Sequence, residues 1–138
     1  MGPVAQAAGY ALRRAQLAVF ADFIRALAPY DLRPGQVSVL LVVQGTPGLR
    51  QHQVADALGI KRANFVTLLG RLERRGLIRR QKVEKDHRAL ALFLTEAGEA
   101  LVETLGPIWS AHEARVVARL GAARHAALLR LLESLGEM

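Results

Sequence analysis

The stretch from Gln51 to Leu72 constrains this chain more than any other. Val54, Ala55 and Leu58 recur at helical spacing, Gly59-Ile60 interrupts them, and Phe65, Leu68, Leu69 and Leu72 resume the period. Two short helices joined by so tight a turn need a residue that accepts positive φ and a small residue where the helices approach. Gly59 and Ala55 meet those needs. The pattern is that of a helix-turn-helix. A purely structural helix pair shares it, so the spacing alone does not assign a function.

Charge narrows the choice. The chain of 138 residues has a formal net charge of +7. Lys61, Arg62, Arg71, Arg74, Arg75, Arg79, Arg80, Lys82, Lys85 and Arg88 fall in one window whose acids are Glu73, Glu84 and Asp86, and this window alone accounts for the +7. An arginine-rich proteome would spread the excess, whereas here it begins where the second helix of the pair begins. A basic stripe along one helix is the electrostatic footprint of a nucleic-acid binder.

Around this segment the chain reads as mainly α. A helix is expected over about Val4 to Ala28, with Leu12, Val19, Phe20, Phe23, Ile24 and Leu27 on one side and Pro29 at its exit. A second begins at Pro34 and ends at Gly45-Thr46-Pro47-Gly48. Leu77–Val83 and Arg88–Leu94 suggest a β-hairpin with Glu84-Lys85-Asp86-His87 at its tip. Thr95 is placed to cap a long helix that Gly106-Pro107 should bend, and a last helix follows Gly121. The expected architecture is a winged helix-turn-helix in one domain of 1–138. A DNA-binding lobe would occupy 33–94, and dimerisation helices 4–28 and 95–137. These terminal segments are apolar around much of their circumference, so they call for a partner surface, which a second copy supplies.

A helical projection sorts the second helix of the pair. Phe65, Leu68, Leu69 and Leu72 face inward, and Ala63, Thr67, Gly70 and Arg74 centre the opposite face, flanked by Arg62, Asn64, Val66 and Arg71. Small residues there let the backbone approach the floor of a major groove. Gly70 has two readings, groove approach and packing against another helix, since mid-helix Gly costs about 1 kcal/mol relative to Ala. Arg62 suits guanine, Asn64 adenine, and Val66 or the Thr67 methyl thymine. Lys61 opens the helix, while Arg71, Arg74 and Arg75 lie further along and suit phosphates. On the hairpin, Arg79, Arg80, Lys85 and Arg88 extend the basic surface. The tip suits a minor groove, with Asp86 orienting Arg88.

Several classes are excluded as expectations. Without cysteine there is no disulfide frame, thiol chemistry or cysteine-held zinc. His52, His87, His112 and His125 have no ligand spacing, so no metal or other cofactor is expected. No nucleophile–base pair or phosphate-cradling glycine loop supports an enzyme. No apolar run spans a bilayer and no secretory signal is visible, which suggests a cytoplasmic location without a membrane partner.

The motifs Leu72-Glu73-Arg74-Arg75-Gly76-Leu77-Ile78, Asp86-His87-Arg88 and Leu94-Thr95-Glu96-Ala97-Gly98, with Leu32-Arg33-Pro34-Gly35-Gln36 and Gln53–Ile60 before them, resemble the MarR family of bacterial winged-helix transcription regulators. The resemblance implies an obligate homodimer on pseudo-palindromic double-stranded DNA, usually a repressor, released by a small phenolic or acidic ligand. It also implies an effector pocket between the dimerisation helices and the DNA-binding lobe, for which Phe20, Phe23, Trp109 and His112 are candidates. From the residues themselves, His112 on its apolar stripe reads first as a satisfied core histidine. Departures from the family pattern are Arg33 and Lys61 at usual Ser or Thr cap positions, and Val66, Thr67 and Gly70 in place of larger or hydroxyl residues. The operator therefore does not carry over. The competing function is an architectural, non-specific DNA-binding protein using the same surface.

Overall fold

Glycine and proline set the element boundaries. The structure, a computed structural model, describes residues 2–138, with the backbone alone at 86–88. Its helices are α1 (Ala8–Leu27), α2 (Pro34–Gly45), α3 (Gln51–Leu58), α4 (Arg62–Arg74), α5 (Glu96–Leu120) and α6 (Ala122–Gly136). The strands β1 (Ile78–Val83) and β2 (Asp86–Leu94) form an antiparallel pair. The first helix starts later than its apolar residues suggest, because Gly2–Gln6 winds as a 3-10 turn.

The chain forms two compact units, one of residues 27–106 and one of 1–26 with 107–138. In the first, Val39, Leu40 and Val43 of α2, Val54 and Ala55 of α3, and Phe65, Leu69 and Leu72 of α4 close on Ile78, Leu92 and Val102. This core is what orients α4. Truncating Phe65, which is fully buried, to Ala would cost about 3–5 kcal/mol.

Local chemistry explains the joints. Gly59 ends α3 at φ 65, and its neighbour Ile60 donates its N–H to the Ala55 carbonyl at 3.0 Å. At α2 the Arg33 side chain caps nothing, and Gln36 Oε1 accepts the Arg33 N–H instead at 2.8 Å. Arg50 and Gln53 repeat the device at α3. Thr95 caps α5 as expected, its Oγ1 accepting from the Gly98 N–H at 3.0 Å and donating to the Gly76 carbonyl at 2.5 Å. At Gly98 a Cβ would collide with the Leu77 carbonyl oxygen, so only glycine allows this close passage. Pro107 lies inside α5, which runs past it uninterrupted.

The hairpin pairs Ile78 with Leu94 and Arg80 with Leu92, and its register slips between Lys82 and Val83. Its turn is shorter than the expected four-residue tip. Glu84 and Lys85 make the turn, while Asp86 and His87 already belong to β2. A bridge from Arg50 to Ala91 adds a third edge, secured by Gly48 N–H to Leu92 O and Leu92 N–H to Leu49 O, both 2.9 Å.

The second unit has a different economy. Among its residues Phe23 and His112 are buried, whereas no residue of α6 is. Leu12, Leu17, Phe20, Leu129 and Leu131 stand exposed. No helix of the described residues is long and apolar enough to cross a membrane.

Candidate nucleic-acid interface

Burial divides α4 as its sequence does. Phe65, Leu69 and Leu72 are buried and Leu68 half-buried, while Lys61, Arg62, Ala63, Asn64, Val66, Thr67, Arg71 and Arg74 are exposed. Val66 is 50% exposed although apolar, a cost to solvation unless something covers it. At Gly70 a Cβ would meet only the flexible end of Arg74, whose Nη1 lies at 3.3 Å. Within the described residues no second helix packs there, so the packing reading of Gly70 loses its basis. The helix presents a narrow, small-residue ridge edged by guanidinium and amide groups.

The basic residues divide into free and engaged. Arg62, Arg71 and Arg74 have no ion pair among the described residues. Arg75, expected on phosphate, does something else: it donates to the Asp31 carbonyl at 2.6 Å and the Tyr30 carbonyl at 3.0 Å. It thus holds the end of α4 against the connection before α2, where Asp31 adopts φ 51.

Arg80 is likewise drawn inward. Its Nε donates to Glu73 Oε1 at 2.7 Å, its Nη2 to the same oxygen, and its Nη1 to Gln51 Oε1 at 3.3 Å. This ties β1 to the end of α4 and the start of α3, which argues against a phosphate contact for Arg80. Arg79 remains exposed, stacked 4.6 Å over the Phe93 ring and bonded to Gln81. Lys85 is exposed in the turn. The expected pairing of Asp86 with Arg88 concerns side chains outside the described residues.

The candidate effector residues lie in the other unit. Phe23 stacks on His112 at 4.8 Å and meets Trp109 edge-on at 5.6 Å. Phe20 is exposed and outside this aromatic group. His112, 3% exposed, is satisfied as a core histidine: its Nδ1 lies 2.7 Å from Asp22 Oδ2. Arg115 reaches the same carboxylate, with Nη2 at 2.8 Å from Oδ2 and Nε at 3.1 Å from both oxygens. The Arg115 and His112 hydrogen bonds hold the Asp22 carboxyl down to about 2. Asp22 and Arg115 escaped the sequence reading because neither shows its partner across so long a separation.

A three-helix lobe whose last helix, α4, is basic and outward-facing, with an adjacent hairpin, defines a winged helix-turn-helix protein of the DNA-binding kind. A sequence model of the MarR family matches residues 30–89. A Thauera aromatica protein named for transcriptional regulation of the hcr operon is 31% identical over 135 residues, 97% of this chain and 81% of its own length. The repressor CouR bound to a 23-mer DNA duplex superposes with a TM-score of 0.92 at 42% identity, covering 99% of this chain and 96% of that one. CouR bound to p-coumaroyl-CoA gives 0.90 at 41% identity with the same coverage. The chain belongs to the MarR family.

Proposed function

We propose that this chain is a DNA-binding transcriptional repressor that acts as a homodimer on a pseudo-palindromic operator and is released by a small effector. The observation that carries the reading is the exposed α4 face, where unpaired basic residues edge a ridge of Ala63, Thr67 and Gly70. Arg62, Asn64, Val66 and Thr67 would read base edges. Lys61, Ala63, Arg71, Arg74, Arg79 and Lys85 would set the helix depth and hold the backbone, with Asp86 and Arg88 at the wing. The exposed leucines of α6 and the apolar side of α1 support self-association. A two-fold pair places recognition helices about 34 Å apart, one turn of DNA. A cytoplasmic, non-enzymatic protein fits this role.

The aromatic group of Phe23, Trp109 and His112, with Phe20 one turn away, supports an aromatic effector. The p-coumaroyl-CoA held by CouR points to a phenolic acyl-CoA as the first compound to try. Selection of bound fragments from the host genome should return a pseudo-palindrome, and competition should favour it at least about a thousandfold over random DNA. A ratio near one would leave an architectural DNA-binding protein. Release of the selected fragment by p-coumaroyl-CoA, followed through the fluorescence of Trp109, the chain's one tryptophan, tests the effector.

A further inference from the structure

Helix α4 runs between two hollows, each lined by an arginine from outside the basic stretch 61–88. On one flank Arg62 of α4 faces Arg50 and His52 at the start of α3, with Leu90 of β2 closing a space of about 250 Å³. On the other, Asn64, Thr67 and Arg71 of α4 face Arg33 and Gln36 at the start of α2 across about 240 Å³. At 3.6 residues per turn, Arg62 and Arg71 project from opposite edges of the outward face. No carboxylate among the described residues lines either hollow.

The two outlying arginines are not accounted for by the fold. Each is the capping residue just before its helix, where a side-chain oxygen acceptor stabilises the start, and neither guanidinium supplies one. Neither takes part in an ion pair among the described residues. A helix seated in a major groove about 12 Å wide has a row of phosphates along each side. Cationic hollows on both flanks of the helix match that arrangement.

We infer that the two hollows are phosphate seats, Arg50 with His52 holding the backbone of one strand beside the base-reading Arg62, and Arg33 with Arg71 that of the other. The inference rests on the DNA-binding reading of α4. Guanidinium forks bond phosphodiester oxygens in charge-assisted pairs that carry no sequence information. They set the depth and register at which Asn64 and Thr67 meet the bases. Charge arithmetic along the sequence misses both arginines because each lies in a locally neutral segment.

The test replaces Arg33→Ser and Arg50→Ser, singly and together, in the full chain. Serine offers the capping oxygen that arginine lacks, so melting temperatures should hold or rise. Binding is measured from about 50 to 200 mM salt on a random-sequence duplex about three turns long and on the selected genomic fragment. Each single variant should lose about tenfold in affinity on both DNAs. Each should also flatten the slope of log affinity against log salt by about one, and the pair by about two. Arg13→Ser on α1 is the charge-matched control and should leave the slope unchanged.

Variants with the parental slope and affinity overturn the seats. So does a loss confined to the selected fragment, which would assign the arginines to base reading, or a fall in melting temperature that accounts for the lost binding. A parent protein that binds neither DNA overturns the DNA-binding reading itself, and the seats with it.

Discussion

Helices α4 and α6 both leave a face uncovered, and the two faces have opposite chemistry. On α4 the buried side is complete, with Phe65, Leu69 and Leu72 sealed in the lobe, and the open side is small, polar and basic. Helix α6 buries none of its residues and exposes Leu128, Leu129, Leu131, Leu132 and Leu135. Water solvates the first face at little cost, but leaves roughly 25 cal/mol of unfavourable free energy per Å² of apolar area on the second. Exposure therefore means different things in the two places. On α4 it costs little and fits the proposed contact with a polyanion, whereas on α6 it calls for another apolar surface to cover it.

The largest effect should come from charging α6. Leu131 and Leu135 are 65% and 42% exposed and one helical turn apart, so Leu131→Glu with Leu135→Glu leaves the single chain's packing intact. Sedimentation should show the mass halved, and affinity for a two-half-site operator should fall by about a hundredfold, because each half-site then binds alone. Unchanged mass would mean that α6 is not the self-association surface, and its likeness to an interface would be lost.

On α4 the informative changes are subtler. Asn64→Ala should cost about 1–3 kcal/mol of discrimination at one base pair per half-site while random-sequence affinity falls far less. Equal loss on every sequence would move Asn64 to the backbone. Gly70→Ala separates folding from function: the added methyl displaces only the end of Arg74 and recovers helix propensity, so stability should rise by up to about 1 kcal/mol. DNA affinity should nevertheless fall, because the ridge is raised toward the groove floor. If both rise together, the small-residue ridge has no role in DNA approach.

The same contrast explains what the sequence reveals. Helix α2 begins at Pro34 and ends at Gly45, α3 stops just before Gly59 and α4 two residues before Gly76, since turn chemistry is local. The outward face of α4 was legible because the 3.6-residue period is local too. Arg75 and Arg80 were not. As sequence they look like Arg71 and Arg74, but the carbonyls of Tyr30 and Asp31 and the side chains of Glu73 and Gln51 claim them in the fold. An arginine that braces the fold and one left free at its surface differ only in distant partners. The Gly48–Arg50 edge escaped for a related reason, as a single bridge to Ala91 has no period to detect.

The smallest predicted effect concerns the unit to which α6 belongs, where three of the ion pairs among the described residues fall on Asp22 and a further one joins His125 to Glu113. Arg115 and His112 hold this carboxyl at about 2, whereas a free aspartate titrates at about 3.9. The folded unit therefore binds fewer protons than the unfolded chain across that interval. By linkage, the contribution of Asp22 to stability is complete above about pH 4 and disappears as pH falls toward 2. Acid should loosen this unit while the apolar core around Phe65, which has no such carboxylate, persists. Trp109, set edge-on to Phe23 beside His112, should report the change in fluorescence. Asp22→Asn should lower stability at neutral pH and flatten the acid limb, since the variant has no proton to take up there. An acid transition of the same midpoint and steepness in Asp22→Asn would show that the carboxylate does not brace the unit.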